Sequence, residues 1–428
     1  MITRPRQLCI LACALTVLLP LSVAVSATAP TDGSVPPAAV VTEPNAPDAL
    51  TALRAWLAIP VAERPRMAPA LARELSKADA ARARHLLAND RRTTIAAQRQ
   101  DALAARMLAH EGKSMRWLER TFGEAPAAGH SLWISLHGGG GAPSAVNDQQ
   151  WQNQIQLYQP PEGIYVAPRA PTDTWNLWHE AHIDPLLAAL IETYVALRGV
   201  DPQRVYVMGY SAGGDGVWQL APRMADRFAA VAMMAGHPNE SSLLGLRNVP
   251  FAIFMGGEDS AYNRNRLAAE RGAELGRLHQ ANPNGYDHLL RIYPGMGHWM
   301  ELRDAEALPW LAARTRQAWP KRVVWFQDDV THQRFYWLAL APGSIPMVGQ
   351  QLTAQVDGNR ITLSGTVPVG LRLHLDDALL DLDQPVTVVV DGKERFQGRV
   401  ARTAGALVDD LQQRADPVLA ASATLVMP

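Results

Sequence analysis

From about residue 113 the chain breaks into short apolar runs separated by longer stretches of helical periodicity. The runs occupy 133–136, 164–167, 205–208, 229–233, 251–255 and 289–293. Each is four or five residues long and rich in Val, Ile, Met or aromatic side chains, which predicts strands buried on both faces. Helices are predicted between several of them. One covers 186–197, where Asp184-Pro185 reads as a cap followed by a first-turn proline, and another covers 265–279. Strands alternating with helices predict an α/β fold built on a doubly wound, mostly parallel sheet. Its ligand site is expected at the C-terminal ends of the strands.

The flanks follow other patterns. Residues 49–112 are rich in Ala, Leu and Arg without strand-like alternation. Leu50, Leu53, Trp56 and Leu57 have the spacing of one helical face, and Leu71, Leu75 and Ala78 that of another, so this segment is expected to be an N-terminal helical prelude. Residues 113–318 then form the sheet-containing domain. Beyond Pro320, strand-like runs recur at 322–326, 335–340, 351–356, 360–363, 371–375 and 386–390, with a helix expected at 404–414. Asp357-Gly-Asn and Asp391-Gly-Lys have the composition of hairpin turns. Residues 319–428 are therefore expected to be a separate, small C-terminal β domain, a sandwich in which Trp325 and Trp337 are buried.

Composition narrows the classes of partner. The chain has 428 residues, of which 48% are hydrophobic, enough for a large core. Lys+Arg (40) nearly balances Asp+Glu (41), so no basic surplus points to nucleic acid, and no nucleic-acid partner is expected. Both cysteines, Cys9 and Cys13, lie in an opening segment with Arg4 and Arg6, an apolar run, and small residues up to Ser26 and Ala27. That is the layout of a secretory signal peptide at 1–26, cut near Ser26 or Ala27. A flexible linker rich in Pro, Ala and Thr is expected at 27–48. Cleavage would leave a secreted or periplasmic protein without thiols and with no stable membrane insertion. The sequence leaves its oligomeric state open.

Four motifs carry candidate chemistry, each just after a predicted strand. The first is Val205-Tyr-Val-Met-Gly209-Tyr-Ser211-Ala-Gly213. In a tight strand-to-helix turn, the positions two before and two after the serine have room for little more than hydrogen. Glycine fits there, and Ser211 is held at the tip. The second is Leu136-His137 followed by Gly138, Gly139, Gly140 and Gly141, a backbone able to turn sharply and present N–H groups to an oxyanion. The third is Gly256-Gly-Glu258-Asp259, in which Asp259, with Glu258 as competitor, can orient a histidine. The fourth is Pro294-Gly-Met-Gly-His298, a loop able to return an imidazole to the serine. Trp175 and Trp178 lie on the same sheet edge, as an aromatic substrate platform or as loop packing. His237 can line the pocket or cap its own loop. His179, His182 and Asp184 match no strong zinc spacing, so no metal is expected.

The order Gly-rich loop, Ser211, Asp259, His298 resembles the α/β-hydrolase superfamily over about residues 113–315. Leu-His-Gly-Gly and Gly-Tyr-Ser-Ala-Gly-Gly look most like secreted carboxylesterases of the poly(3-hydroxybutyrate) depolymerase and feruloyl esterase type. They are also similar to the catalytic domains of prolyl-oligopeptidase-type peptidases. The resemblance implies an acyl-enzyme on Ser211, with His298 as base and Asp259 as its orienter. It also implies an oxyanion hole from Gly139, Gly140 and Ala212, and no cofactor. The implied partner is a small-molecule or polymeric ester. The alternatives are a serine peptidase and a non-catalytic, hydrolase-like binding protein.

Overall fold

A computed structural model describes residues 48–65 and 68–428. The signal peptide expected at 1–26 and the linker expected at 27–48 lie outside the described residues, except for Asp48. Asp48 is a helix cap: its Oδ1 accepts the Thr51 N–H at 2.9 Å at the start of α1 (Ala49–Leu57). Leu53 and Trp56 on this helix are buried, on the face read from the sequence.

The helical reading of the prelude then needs three corrections. Leu71 lies in a 3-10 turn (Pro69–Ala72), Leu75 lies between helices, and Ala78 is an exposed residue of α2 (Lys77–Ala105), so the three share no helical face. The prelude ends at Ala105. Met107–His110 is already a strand, β1, paired antiparallel with β2 (Lys113–Phe122). Ser76 caps α2 by accepting the Asp79 N–H at 3.1 Å, and Arg106 ends it in a left-handed conformation.

The central sheet follows the predicted alternation. Its further elements are β3 (His130–Leu136), α3 (Ser144–Leu157), β4 (Gly163–Pro168), α4 (Ile183–Leu197), β5 (Val200–Tyr210), α5 (Ala212–Arg223), β6 (Ala230–Met234), β7 (Phe251–Gly256), α6 (Arg264–Ala281), β8 (His288–Tyr293) and α7 (Ala307–Ala312). The eight strands lie in the order β1-β2-β4-β3-β5-β6-β7-β8. β4 through β8 are parallel neighbours, and β2 joins β4 antiparallel. Every residue of β4, β6 and β7 is buried, which is why these strands read as continuous apolar runs. Asp184 is not the cap of α4. It lies in the first turn, where its carboxylate accepts Arg223 at 2.6 Å and meets His332 Nε2 at 2.7 Å. These two partners hold it below the usual carboxylate range, against the cost of burial.

The C-terminal residues form two further sheets. The elements are β9 (Arg322–Phe326), β10 (Arg334–Phe335), β11 (Leu338–Ala339), β12 (Gln351–Asp357), β13 (Arg360–Gly365), β14 (Arg372–Leu375), β15 (Val386–Val390), β16 (Lys393–Gly398), α8 (Ala404–Gln413) and β17 (Ala423–Val426). One sheet runs β16-β15-β13-β12-β9 and the other β10-β11-β14-β17. The two expected hairpin turns join β12 to β13 and β15 to β16. The run expected as one strand at 335–340 is instead a tight hairpin. It turns at Tyr336, whose φ is 52° and whose N–H donates to Asp226 Oδ2 at 2.8 Å.

These sheets are not set apart from the rest. Trp325, Trp337 and Leu373 belong to the same apolar cluster as Ile134, Trp218 and Ile253 of the central sheet and its helices. Buried ion pairs cross the same junction: Arg316 with Asp416 at 2.6 Å, and Arg414 with Asp226.

Candidate active site

The site is built at the C-terminal ends of β3, β5, β7 and β8. Ser211 sits between β5 and α5 with φ 56° and ψ −122°, a strained conformation for a residue with a Cβ. Two backbone crossings force it. A Cβ on Gly209 would lie 2.2 Å from the Gly213 carbonyl, and one on Gly213 would lie 2.1 Å from that of Leu136. The Ser211 N–H donates to Met234 O at 2.9 Å, and the amino end of α5 lies behind the hydroxyl.

His298 comes back to this turn from the loop after β8. Its Nε2 is 2.9 Å from Ser211 Oγ, and its Nδ1 is 2.7 Å from Asp259 Oδ2. With Nδ1–H donating to the carboxylate, the Nε2 lone pair faces the serine hydroxyl. Asp259 is only 3% exposed, while Glu258 next to it points to solvent, so the carboxylate brought to the imidazole is that of Asp259. The loop is pinned by a residue that sequence reasoning missed. Tyr210 Oη donates to His298 O at 2.7 Å and accepts the Met300 N–H at 2.9 Å. Its position immediately before the serine was the one available signal.

The glycine loop is sharply turned, with φ of 105°, 83° and 60° at Gly139, Gly140 and Gly141. It does not present every N–H to the serine. The Gly140 N–H donates to Asn147 Oδ1 at 2.8 Å, and Asn147 also bonds Ala142 O and Asp173. Gly140 therefore drops out as an oxyanion donor, while Gly139 lines the cleft and Ala212 opens α5 beside Ser211. Beneath the loop, burial pushes the His137 imidazole down to about 4. The neutral ring donates from Nδ1 to Gly138 O at 2.6 Å and accepts the Ala170 N–H at Nε2, 3.1 Å away.

The residues expected to bind substrate separate. Trp175 is 61% exposed and stands on the rim of a cleft of about 740 Å³ that opens over Ser211 and His298. Trp178 is buried, and its Nε1–H donates to His137 O at 2.9 Å, so it supports the glycine loop from below and does not reach the cleft. His237 is outside the cleft lining. Its ring meets Asn239, and its N–H donates to Asp215 Oδ1 at 2.6 Å. The cleft's remaining wall mixes Gln150, Asn153 and Gln156 with Trp299 and Leu302. Among the described residues, no three His, Cys, Asp or Glu side chains are grouped to hold a metal ion.

A mostly parallel sheet with a serine on a strained turn after its fifth strand is the architecture of the α/β-hydrolase fold. Within that class, residues 166–330 match the dienelactone hydrolase family, a match over fewer than half of the 428 residues. Solved structures resemble the chain at low identity. A thermostable esterase is 20% identical with a TM-score of 0.37, over 49% of this chain and 62% of its own. A carboxylesterase from Mesorhizobium loti is 18% identical with a TM-score of 0.33, over 48% of this chain and 97% of its own. A ferulic acid esterase is 18% identical with a TM-score of 0.32, over 48% and 96%. The chain thus spans less than two thirds of the thermostable esterase. Comparison with curated proteins gives no match.

Proposed function

We propose that the protein is a serine hydrolase that cleaves carboxylic esters through an acyl-enzyme on Ser211. The observation that carries this reading is the unbroken line from Ser211 Oγ to His298 Nε2 at 2.9 Å and from His298 Nδ1 to Asp259 Oδ2 at 2.7 Å. Ser211 attacks the ester carbonyl as its proton passes to Nε2. The imidazolium is stabilised by the Asp259 carboxylate and then protonates the departing alcohol. The N–H groups of Ala212 and Gly139 meet the developing oxyanion, with the amino end of α5 adding to the field. Water repeats the cycle on the acyl-enzyme. The exposed side chains of Trp175, Trp299 and Leu302 give the cleft an apolar rim suited to one side of the ester. The same reading, joined to the signal peptide expected at 1–26, makes it a secreted or periplasmic enzyme.

The test is a fluorophosphonate probe applied to the protein and to Ser211→Ala, with the adduct mapped by mass spectrometry. We expect labelling at Ser211, no labelling of the variant, and ester turnover lowered by about 10⁴–10⁶-fold. A folded protein that takes no label would overturn the proposal. Faster turnover of matched peptide amides than of esters would transfer it to the peptidases.

A further inference from the structure

At the opposite end of the central sheet lies a second cavity, of about 520 Å³, between the α6–β8 connection and the outer face of β9 and β12. Its walls carry three cations, Arg247, Lys321 and Arg322, with the amides of Asn282, Gln317 and Gln355, and no acidic residue. Arg247 precedes β7 and Asn282 precedes β8, so the cavity sits at the strands' N-terminal ends, away from Ser211. Arg322 and Gln355 are directly paired across β9 and β12, which places their side chains on the same face of that sheet.

Neither guanidinium group meets a carboxylate among the described residues. Elsewhere the buried arginines of this protein find carboxylates: Arg316 meets Asp416, Arg402 meets Asp377 and Asp383, and Arg334 meets Asp410. Arg247 finds only oxygens of neutral groups, the Asn248 side chain at 2.9 Å and the Arg322 carbonyl at 3.3 Å. The Nε atoms of both Arg247 and Arg322 are buried with no hydrogen-bond partner, as are those of Arg91, Arg223, Arg264 and Arg316, so what sets the pair apart from the ion-paired arginines is the missing carboxylate. Burial, with the Arg322 charge beside it, pushes the Arg247 guanidinium below the ordinary arginine range. Lys321 adds a third charge, although its ammonium is bonded to Leu379 O. The turn over Arg247 is cut to fit, since a Cβ on Gly285 would lie 2.8 Å from the Arg247 Cγ and 3.1 Å from its Cζ.

We infer that this cavity is a binding site for a phosphate group, free or carried on a small monoester. Like charges held together repel one another, a bound anion relieves that repulsion, and the fork of a guanidinium group matches phosphate oxygens. Three cations exceed what a single carboxylate neutralises and suit a dianion. No aromatic side chain lines the cavity to stack on a base or a sugar ring.

The experiment is calorimetric titration of the full protein, and of Arg322→Gln, with inorganic phosphate, with glucose 6-phosphate and with acetate at equal ionic strength. Melting curves are taken in phosphate-free buffer. We expect saturable heat with phosphate or with glucose 6-phosphate, and the stronger of the two identifies free anion or monoester. Arg322→Gln should weaken that binding about tenfold or more. It should melt no lower than the wild type without phosphate, because it relieves an unpaired charge, and ester turnover should be unchanged. The inference is overturned if neither phosphate compound binds, if acetate binds equally well, or if Arg322→Gln binds phosphate unchanged. It is also overturned if that variant melts lower in phosphate-free buffer, which would mark Arg322 as a structural brace.

Discussion

The edge of the sheet around Ser211 and the junction between the central and C-terminal sheets use opposite devices. At the edge, position is set by backbone: a serine at φ 56°, glycines two residues either side that admit no Cβ, and a histidine loop tied by its carbonyl to Tyr210. At the junction, position is set by buried charge: Arg316 on Asp416, Arg414 on Asp226, and Asp184 between Arg223 and His332. The first device stores strain where chemistry is to happen. The second adds little net stability but penalises any other arrangement, because a separated partner is left charged in an apolar interior. Activity and stability should therefore respond to different substitutions.

The sharpest division is expected at Asp259. Asp259→Asn keeps the shape of the site but loses the charge that orients His298, and kcat should fall about 10⁴-fold with the melting temperature little changed. Steady-state ester kinetics beside a melting curve check it. Asp416→Asn should do the reverse. It strands the Arg316 guanidinium in the core at a cost of about 3–5 kcal/mol in urea unfolding, while kcat of the folded fraction is kept. Should kcat collapse instead at unchanged stability, the two regions would not be separable in this way.

Tyr210→Phe tests the first device at its tie to the histidine loop. It removes a hydroxyl that serves both His298 O and the Met300 N–H, so we expect about 1–2 kcal/mol of stability and roughly a tenfold loss of kcat together. The last effect, on stability alone, is at Asp215, just behind Ser211. Burial raises its carboxyl to about 6, above the 3.8 of an unstructured aspartate. The folded state holds that proton more tightly, so stability is greatest below about pH 4 and is lost as pH rises through about 6. Asp215→Asn keeps an acceptor for the His237 N–H and has no charge to bury. It should melt above the wild type at pH 7–8 by the equivalent of about 3 kcal/mol at most, and the difference should vanish near pH 4. Melting curves across that range measure it.

What was legible in the chain follows the same division. Ser211, Asp259 and His298 could be placed because each follows an apolar strand at short range, and short-range pattern is what sequence carries well. Asp259 could not be fully separated from Glu258, since the choice depends on which carboxylate the turn after β7 points inward. Gly140 and Trp178 were misplaced for a related reason. The partner of the first is Asn147, seven residues on and on α3, and the second is drawn under the loop by His137, forty-one residues away. β1 and β2 were hidden because β1 is four residues long and follows directly on an Ala-rich helix, and β2 carries Lys113, Arg116, Glu119 and Arg120 among its apolar positions. The junction was illegible altogether. Arginines and aspartates look like surface residues in a sequence, and only the folded chain shows which of them lie in the core.

The shared apolar cluster beneath that junction also bears on how this chain can be inherited. Val323, Trp325, Phe335 and Trp337 fill the same interior as Trp218 and Phe251. A break near residue 318 would bare that interior on both fragments, so neither is a unit that recombination can lift out and graft onto another gene. The C-terminal sheets are therefore expected to vary by substitution in place, in step with the central sheet they pack against.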